Sequence, residues 1–109
     1  MYEYIVQVKG LKFLTDKEKI EVNDLIARRA EKYNKLLDKI NYLKISVQVL
    51  HQKSEGPTLY SIQTQLSIPG KTFESSSKAW DARTALMHAL VRLESSIRKF
   101  KSRREEKRK

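Results

Sequence analysis

The spacing of hydrophobic and polar residues changes period along this chain, and each change marks an element. Tyr2, Tyr4, Val6 and Val8 alternate ahead of Gly10, a period of two that predicts a short strand over residues 2–8. Thr15-Asp16-Lys17-Glu18 has capping-box spacing, with Thr15 as N-cap and Glu18 reaching back to it. The stripe Val22, Leu25, Ile26, Ala30, Tyr33, Leu36 and Leu37 then follows the helical repeat to about Ile40, a first helix of roughly five or six turns. From Leu43 the period returns to two. Leu43, Ile45, Val47 and Val49 oppose Lys44, Ser46 and Gln48, the mark of a half-buried strand. Ser54-Glu55-Gly56-Pro57 reads as a loop, and Tyr60, Ile62, Thr64, Leu66 and Ile68 alternate with Ser61, Gln63, Gln65 and Ser67 as a third strand. Pro69-Gly70 is a tight turn, and residues 71–77 make a fourth strand held by Phe73. Asp81 caps a long second helix with the stripe Ala82, Ala85, Leu86, Ala89, Leu90, Leu93, Ile97 and Phe100.

The predicted order is β-α-β-β-β-α, an α+β fold. Each strand keeps one polar face, so both helices should cover the same side of a four-stranded sheet. The first two strands should be parallel, joined by a right-handed crossover through the first helix. Residues 1–101 are expected to form a single domain, and residues 102–109, where the apolar signal has stopped, a frayed basic tail.

Composition narrows the function classes. The 109 residues are 39% hydrophobic, enough for one core and too many for general disorder. No cysteine occurs, which removes disulfides, thiolate metal sites and thiol nucleophiles and fits a reducing cytoplasm. The start, Met1-Tyr2-Glu3-Tyr4-Ile5, lacks the basic and apolar regions of a signal peptide, and no apolar run reaches membrane-spanning length. A formal net charge of +10 favours polyanionic partners. Neither helix pairs a basic face with exposed Trp, Phe and Leu, so a membrane surface is not the expected partner.

The charge is clustered. Arg28, Lys32, Lys35 and Lys39 stand at i, i+4, i+7 and i+11, a file on the order of 16 Å long on one helix face, suited to successive phosphates. His88, Arg92, Ser95 and Lys99 repeat the spacing on the second helix, with Arg98 and Lys101 extending the row. With both helices on one side of the sheet, the rows are expected to flank a shared positive surface. Arg29 borders the apolar arc, where its stem can pack while its guanidinium reaches out. Arg28 and Glu31 are near enough in sequence to pair, as on any solvated helix face.

Catalytic and metal chemistry find little footing. His51 and His88 lie on different elements, the serines of residues 75–77 have neither a nucleophile elbow nor a partner base, and three glycines make no phosphate loop. Neither a cofactor nor a small-molecule substrate is implied, and an enzyme is not expected. Trp80, just before the cap Asp81, is expected to fold back on the first helical turn rather than to stack on a base. Tyr2, Tyr4, Tyr33 and Tyr60 fall on core faces.

The chain resembles the short ribosome hibernation-promoting factors, also called ribosome-associated inhibitors. Ala30-Glu31-Lys32-Tyr33-Asn34-Lys35-Leu36-Leu37-Asp38-Lys39-Ile40 is similar to their K-L-x-K-Y-F-D-R-I. The strand from Leu43 to Val49, the turn Leu66-Ser67-Ile68-Pro69-Gly70, and Asp81, Ala85-Leu86 and residues 92–101 (similar to D-K-L-E-R-Q-L-R-K-H-K) extend the likeness over nearly the whole chain. The resemblance implies the same β-α-β-β-β-α fold and binding to the small ribosomal subunit, its RNA and neighbouring proteins, near the decoding channel. There such factors block mRNA and tRNA and hold idle ribosomes inactive. It places Lys32, Lys39, Arg92 and Lys99 on ribosomal RNA phosphates; Arg28, Arg29, Lys35, Arg98 and Lys101 join them from the helix geometry alone. The free protein is expected to be monomeric.

The sequence departs from the family in three places. The first helix starts about a turn early, Arg83 stands where the family often has Tyr, and with Lys109 as the last residue no dimerising domain is expected after the second helix. The alternative is a double-stranded RNA-binding domain. Against it stand the extra N-terminal strand and Lys78-Ala79-Trp80-Asp81-Ala82, where such domains usually carry a lysine cluster.

Overall fold

The computed structural model describes residues 4–52 and 58–106. Its elements are β1 (Ile5–Lys9), a 3-10 turn (Leu11–Phe13), α1 (Asp16–Leu36), β2 (Tyr42–Gln52), β3 (Thr58–Ile68), β4 (Lys71–Ala79) and α2 (Ala82–Glu106). The strands form one sheet in the order β1-β2-β3-β4, with β1 parallel to β2 and the other neighbours antiparallel. This is the expected α+β architecture. A strand ahead of α1, paired in parallel with β2, is the feature that argued against a double-stranded RNA-binding domain.

Register follows the alternation. Leu43, Ile45 and Val47 pair with Leu66, Thr64 and Ile62, so all six side chains point to one face and are buried. Val22, Ile26, Ala30 and Tyr33 of α1 and Leu86, Leu90, Leu93 and Ile97 of α2 close the same core. The other face carries Lys44, Gln48, Gln63, Glu74, Ser76 and Lys78, all exposed. Both helices therefore lie side by side on one side of the sheet.

They also run in the same direction. Glu18 at the start of α1 and Asp81 at the start of α2 both bear on Tyr60, whose phenol is pushed up first by burial and then by Glu18. Acids thus gather at the helix N-termini, and Lys32, Lys35, Lys99 and Arg103 lie toward the C-termini, each sign complementing the macrodipole. The two starts are built as expected. The Thr15 hydroxyl accepts from Glu18 N–H (3.2 Å) while Thr15 N–H donates to Glu18 Oε1 (3.0 Å). Asp81 Oδ2 accepts from Thr84 N–H (2.9 Å) and the Thr84 hydroxyl (2.8 Å).

Helix ends differ from expectation. α1 stops at Leu36, so Lys39 is not on the helix and the four-residue file loses its last member. Leu37 turns extended (φ −123°, ψ 137°) and Asn41 N–H donates to Ser67 O (2.7 Å), drawing the chain into β2. Leu37 and Ile40 are both buried, and their spacing of three mimics a helix although a non-helical connection delivers them to the core. α2 instead continues past Phe100 to Glu106, through residues that form helix well and with cations that complement its C-terminus. Trp80 does not fold back; it is 56% exposed. Tyr2, the predicted loop 54–57 and residues 107–109 lie outside the described residues.

Hydroxyls join the layers. Tyr33, fully buried, donates to Leu90 O (2.7 Å) and so pins α1 to α2. Burial above all pushes its phenol up, keeping it a neutral donor. Tyr4 donates to Ala30 O (2.7 Å), tying the approach to β1 to α1. Ser75 Oγ donates its one proton to Ala89 O (2.7 Å), so Thr64 Oγ1 must donate to Ser75, a relay from β3 through β4 to α2. Among the described residues no buried side-chain N or O lacks a partner.

Three variants are expected to weaken the fold, for different reasons. A Cβ at Gly10 (φ +88°) would sit 2.1 Å from Val47 O, whereas one at Gly70 (φ +81°) would meet nothing within 4 Å. Gly70→Ala should therefore cost only the left-handed penalty of about 1–2 kcal/mol, and Gly10→Ala clearly more, in urea titrations. Tyr33→Phe should cost about 1–3 kcal/mol, because Leu90 O loses its second partner in a dry site.

Candidate nucleic-acid interface

The candidate interface lies on the outer surfaces of α1 and α2. On α1, Arg28, Lys32 and Lys35 are exposed and share one face at i, i+4 and i+7. Arg28 pairs with Asp24, one turn earlier on the helix (3.1 Å). Both ends of that pair are open to solvent, so it orders Arg28 only weakly. Lys35 stands near the helix C-terminus, and exposed Lys39 follows in the connection to β2.

Between the helices the cations converge on an acid. Glu94 of α2 has a side chain only 15% exposed. Its Oε1 takes Lys32 Nζ at 3.0 Å and Arg29 Nη1 at 3.3 Å, and its Oε2 takes Arg98 Nε at 3.4 Å. Burial pushes the Glu94 carboxyl up, but the hydrogen bonds and charges of Lys32 and Arg98 outweigh it and hold the group below the usual carboxylate range. Three cations against one carboxylate leave a local excess of two positive charges. Arg29 differs from the others. Its side chain is 20% exposed, and Nη2 lies 3.9 Å from Met87 Sδ, so it bridges the helices instead of reaching outward as expected. Lys32 (46% exposed) and Arg98 (55%) sit at the surface of the seam.

The second helical row does not share this surface as a unit. Arg92 is two residues from Glu94, about 200° around the helix, on the opposite flank of α2. Its Nη1 donates to Ser76 O of β4 (2.7 Å). Lys99 and Arg103 lie on that flank too, along a shallow groove of about 300 Å³ with Lys71 and Phe73 of β4. Phe73 and Phe100 meet edge to face (5.4 Å, 72°), with Lys71 Nζ 5.3 and 5.6 Å from their centroids. Arg98 and Lys101, at i+4 and i+7 from Glu94, stay on the α1 side. The expected rows therefore divide. Arg28, Arg29, Lys32, Lys35, Arg98 and Lys101 belong to the two-helix surface, and Arg92 and Lys99 to the β4 flank. His88 is exposed on α2.

Sequence reasoning missed Glu94. The i,i+4 spacing to Arg98 was visible, but the partners Arg29 and Lys32 come from the other helix. Lys71 was also missed, since its neighbours on α2 are distant in sequence. Among the described residues no group of His, Cys, Asp and Glu converges as a metal site, and no helix is long and apolar enough to cross a membrane.

Glu94 links this geometry to pH. Its carboxyl titrates below the ordinary value of 4.5, so its contribution to stability is complete above that value and is lost as pH falls through the lower folded-state value. Thermal melts from about pH 6 to about pH 3 should fall more steeply for the native protein than for Glu94→Gln, and parallel curves would contradict the linkage.

The fold recurs in known proteins. The fold is shared with a ribosomal subunit interface protein from Coxiella burnetii (TM-score 0.60, 14% identity, covering 92% of this chain and 99% of that one). It is also shared with the N-terminal domain of Protein Y from Thermus thermophilus (TM-score 0.58, 20% identity, covering 90% and 99%). No curated protein matches the sequence. The family model described as hibernation factor Hib, C-terminal domain, matches residues 5–109. A match over essentially the whole described domain, on the fold and in the family class that the helix and strand motifs resemble, makes this chain a member of the hibernation factor Hib family.

Proposed function

We propose that this chain is a ribosome hibernation factor that binds the small ribosomal subunit near the decoding channel and works by occupancy, without catalysis. Bound there, it blocks mRNA and tRNA and keeps idle ribosomes from translating. Its site of action is the cytoplasm, and it reaches the subunit as a monomer. The observation that carries this reading is the seam between α1 and α2. Cations from two helices are gathered into one surface there, with a local excess of positive charge beside exposed Arg28 and Lys35. Family membership and the fold shared with a ribosomal subunit interface protein support it.

Physically, ribosomal RNA phosphates would meet Arg28, Lys32, Lys35, Arg98 and Lys101 on the helix layer. Lys39 prolongs that surface past the end of α1. Arg92 and Lys99 serve RNA approaching the β4 flank, so the protein is contacted on two sides of α2. Phosphate contacts supply affinity and register, while the rigid sheet-backed shape supplies selectivity for one site.

Binding to vacant small subunits should weaken steeply with salt. Neutralising about six phosphates gives a slope of log K against log salt near −4, at about −0.7 per contact. Association that ignores salt would contradict the proposal. The triple variant Arg28→Ala/Lys35→Ala/Lys101→Ala should lose co-sedimentation with small subunits and flatten that slope, with its helical circular dichroism unchanged. Retained co-sedimentation would mean that the helix layer is not the binding face. An isolated RNA duplex, tested alongside, should compete poorly; preference for the duplex would favour a reader of double-stranded RNA.

A further inference from the structure

We infer that Glu94 is the positioning residue of the RNA interface, an acid that strengthens binding to a polyanion by holding the cations that do the binding. The inference rests on the ribosomal reading above. An acid inside a phosphate-binding surface is unexpected on charge alone, and its placement explains it. The Glu94 carboxylate lies beneath the surface, 15% exposed, while Lys32 and Arg98 above it are about half exposed. Each bond to the acid leaves donors unused. Lys32 brings three N–H groups and spends one on Oε1; Arg98 binds Oε2 through Nε, which leaves its terminal guanidinium fork without another partner among the described residues. A fork in that state suits two-pronged recognition of a phosphate.

Without the carboxylate, three cations from two helices would repel one another. Lys32 and Arg98 would then sample many rotamers in solution, freedom that RNA binding would have to remove. With it, the cations come from α1 and α2 to one point, and the helices are already locked there by the Tyr33 bond to Leu90 O. Arg29 anchors the arrangement from below, its guanidinium shared between Glu94 and Met87. Glu94 touches no phosphate; it sets where the phosphate-binding groups stand.

The proposal reverses the sign that charge counting predicts, and that reversal is its test. Glu94→Gln and Asp24→Asn each remove one negative charge, the first from the seam and the second from an exposed pair with Arg28. Each would be measured for affinity to vacant small subunits and for retention on heparin, a polyanion with no defined shape. Asp24→Asn is expected to bind both at least as tightly as the native protein. Glu94→Gln is expected to be held as long or longer on heparin yet to lose about tenfold in subunit affinity, the scale of holding two long side chains in place. Subunit binding by Glu94→Gln as tight as by Asp24→Asn overturns the role of Glu94 and leaves the ribosomal reading standing. A native protein that does not bind subunits overturns both.

Loss of the acid also strands half-buried Arg29, which threatens the fold. The comparison is therefore repeated between Arg29→Met and Arg29→Met/Glu94→Gln, where no buried guanidinium is left unpaired. The double variant carries one more positive charge than the single one. It is expected to bind subunits more weakly all the same, and equal or tighter binding overturns the proposal.

Discussion

Two helices lying parallel and in contact on one face of a sheet form the constraint on which this protein depends. Their seam is held at two depths. Below, the buried Tyr33 hydroxyl reaches the Leu90 carbonyl; nearer the surface, Glu94 collects Arg29, Lys32 and Arg98. The first bond fixes the spacing of the helices in a dry environment, where a hydrogen bond is strong and its loss costly. The second uses that spacing, since a carboxylate on one helix can receive cations from the other only if the axes stay in register. Remove the helix pairing and the positive surface no longer exists as a surface.

The sheet contributes rigidity and orientation. Its apolar face commits both helices to one side, while the opposite face, with Lys44, Gln63, Glu74 and Ser76, stays in water. Parallel helices then put both positive N-termini at the end where Glu18 and Asp81 stand and both negative C-termini at the end rich in lysine and arginine. The same placement that stabilises the helices biases the molecule's charge, and that bias suits a partner made of phosphate. The residues that fold the domain and those that make it cationic are largely different, which is why a strongly charged surface and an intact core coexist.

The fold was legible because alternation and helical periodicity are local signals. Thr15 to Glu18, the runs 43–49 and 60–68, and the turn at Pro69-Gly70 each declared an element from its own residues, and all took the expected form. Boundaries were less legible where two geometries deliver the same side chains to the core. Leu37 and Ile40 show this, as their spacing suits a helix although a non-helical connection buries them, and Lys39 lies in that connection rather than on the helix. Trp80 shows the limit of a local rule, since nothing in its neighbours settles whether the ring packs or faces water.

Sequence alone determined the order of elements, the identity of the buried face, the net positive charge and the list of cations available, because each depends on spacing within one segment. Tertiary structure decided which cations stand together. Arg92 and Glu94 are two residues apart and face opposite flanks of α2, whereas Arg29 and Glu94 are distant in sequence and share a bond. Proximity between helices is set by how their cores pack, and no periodicity within a single helix contains that information.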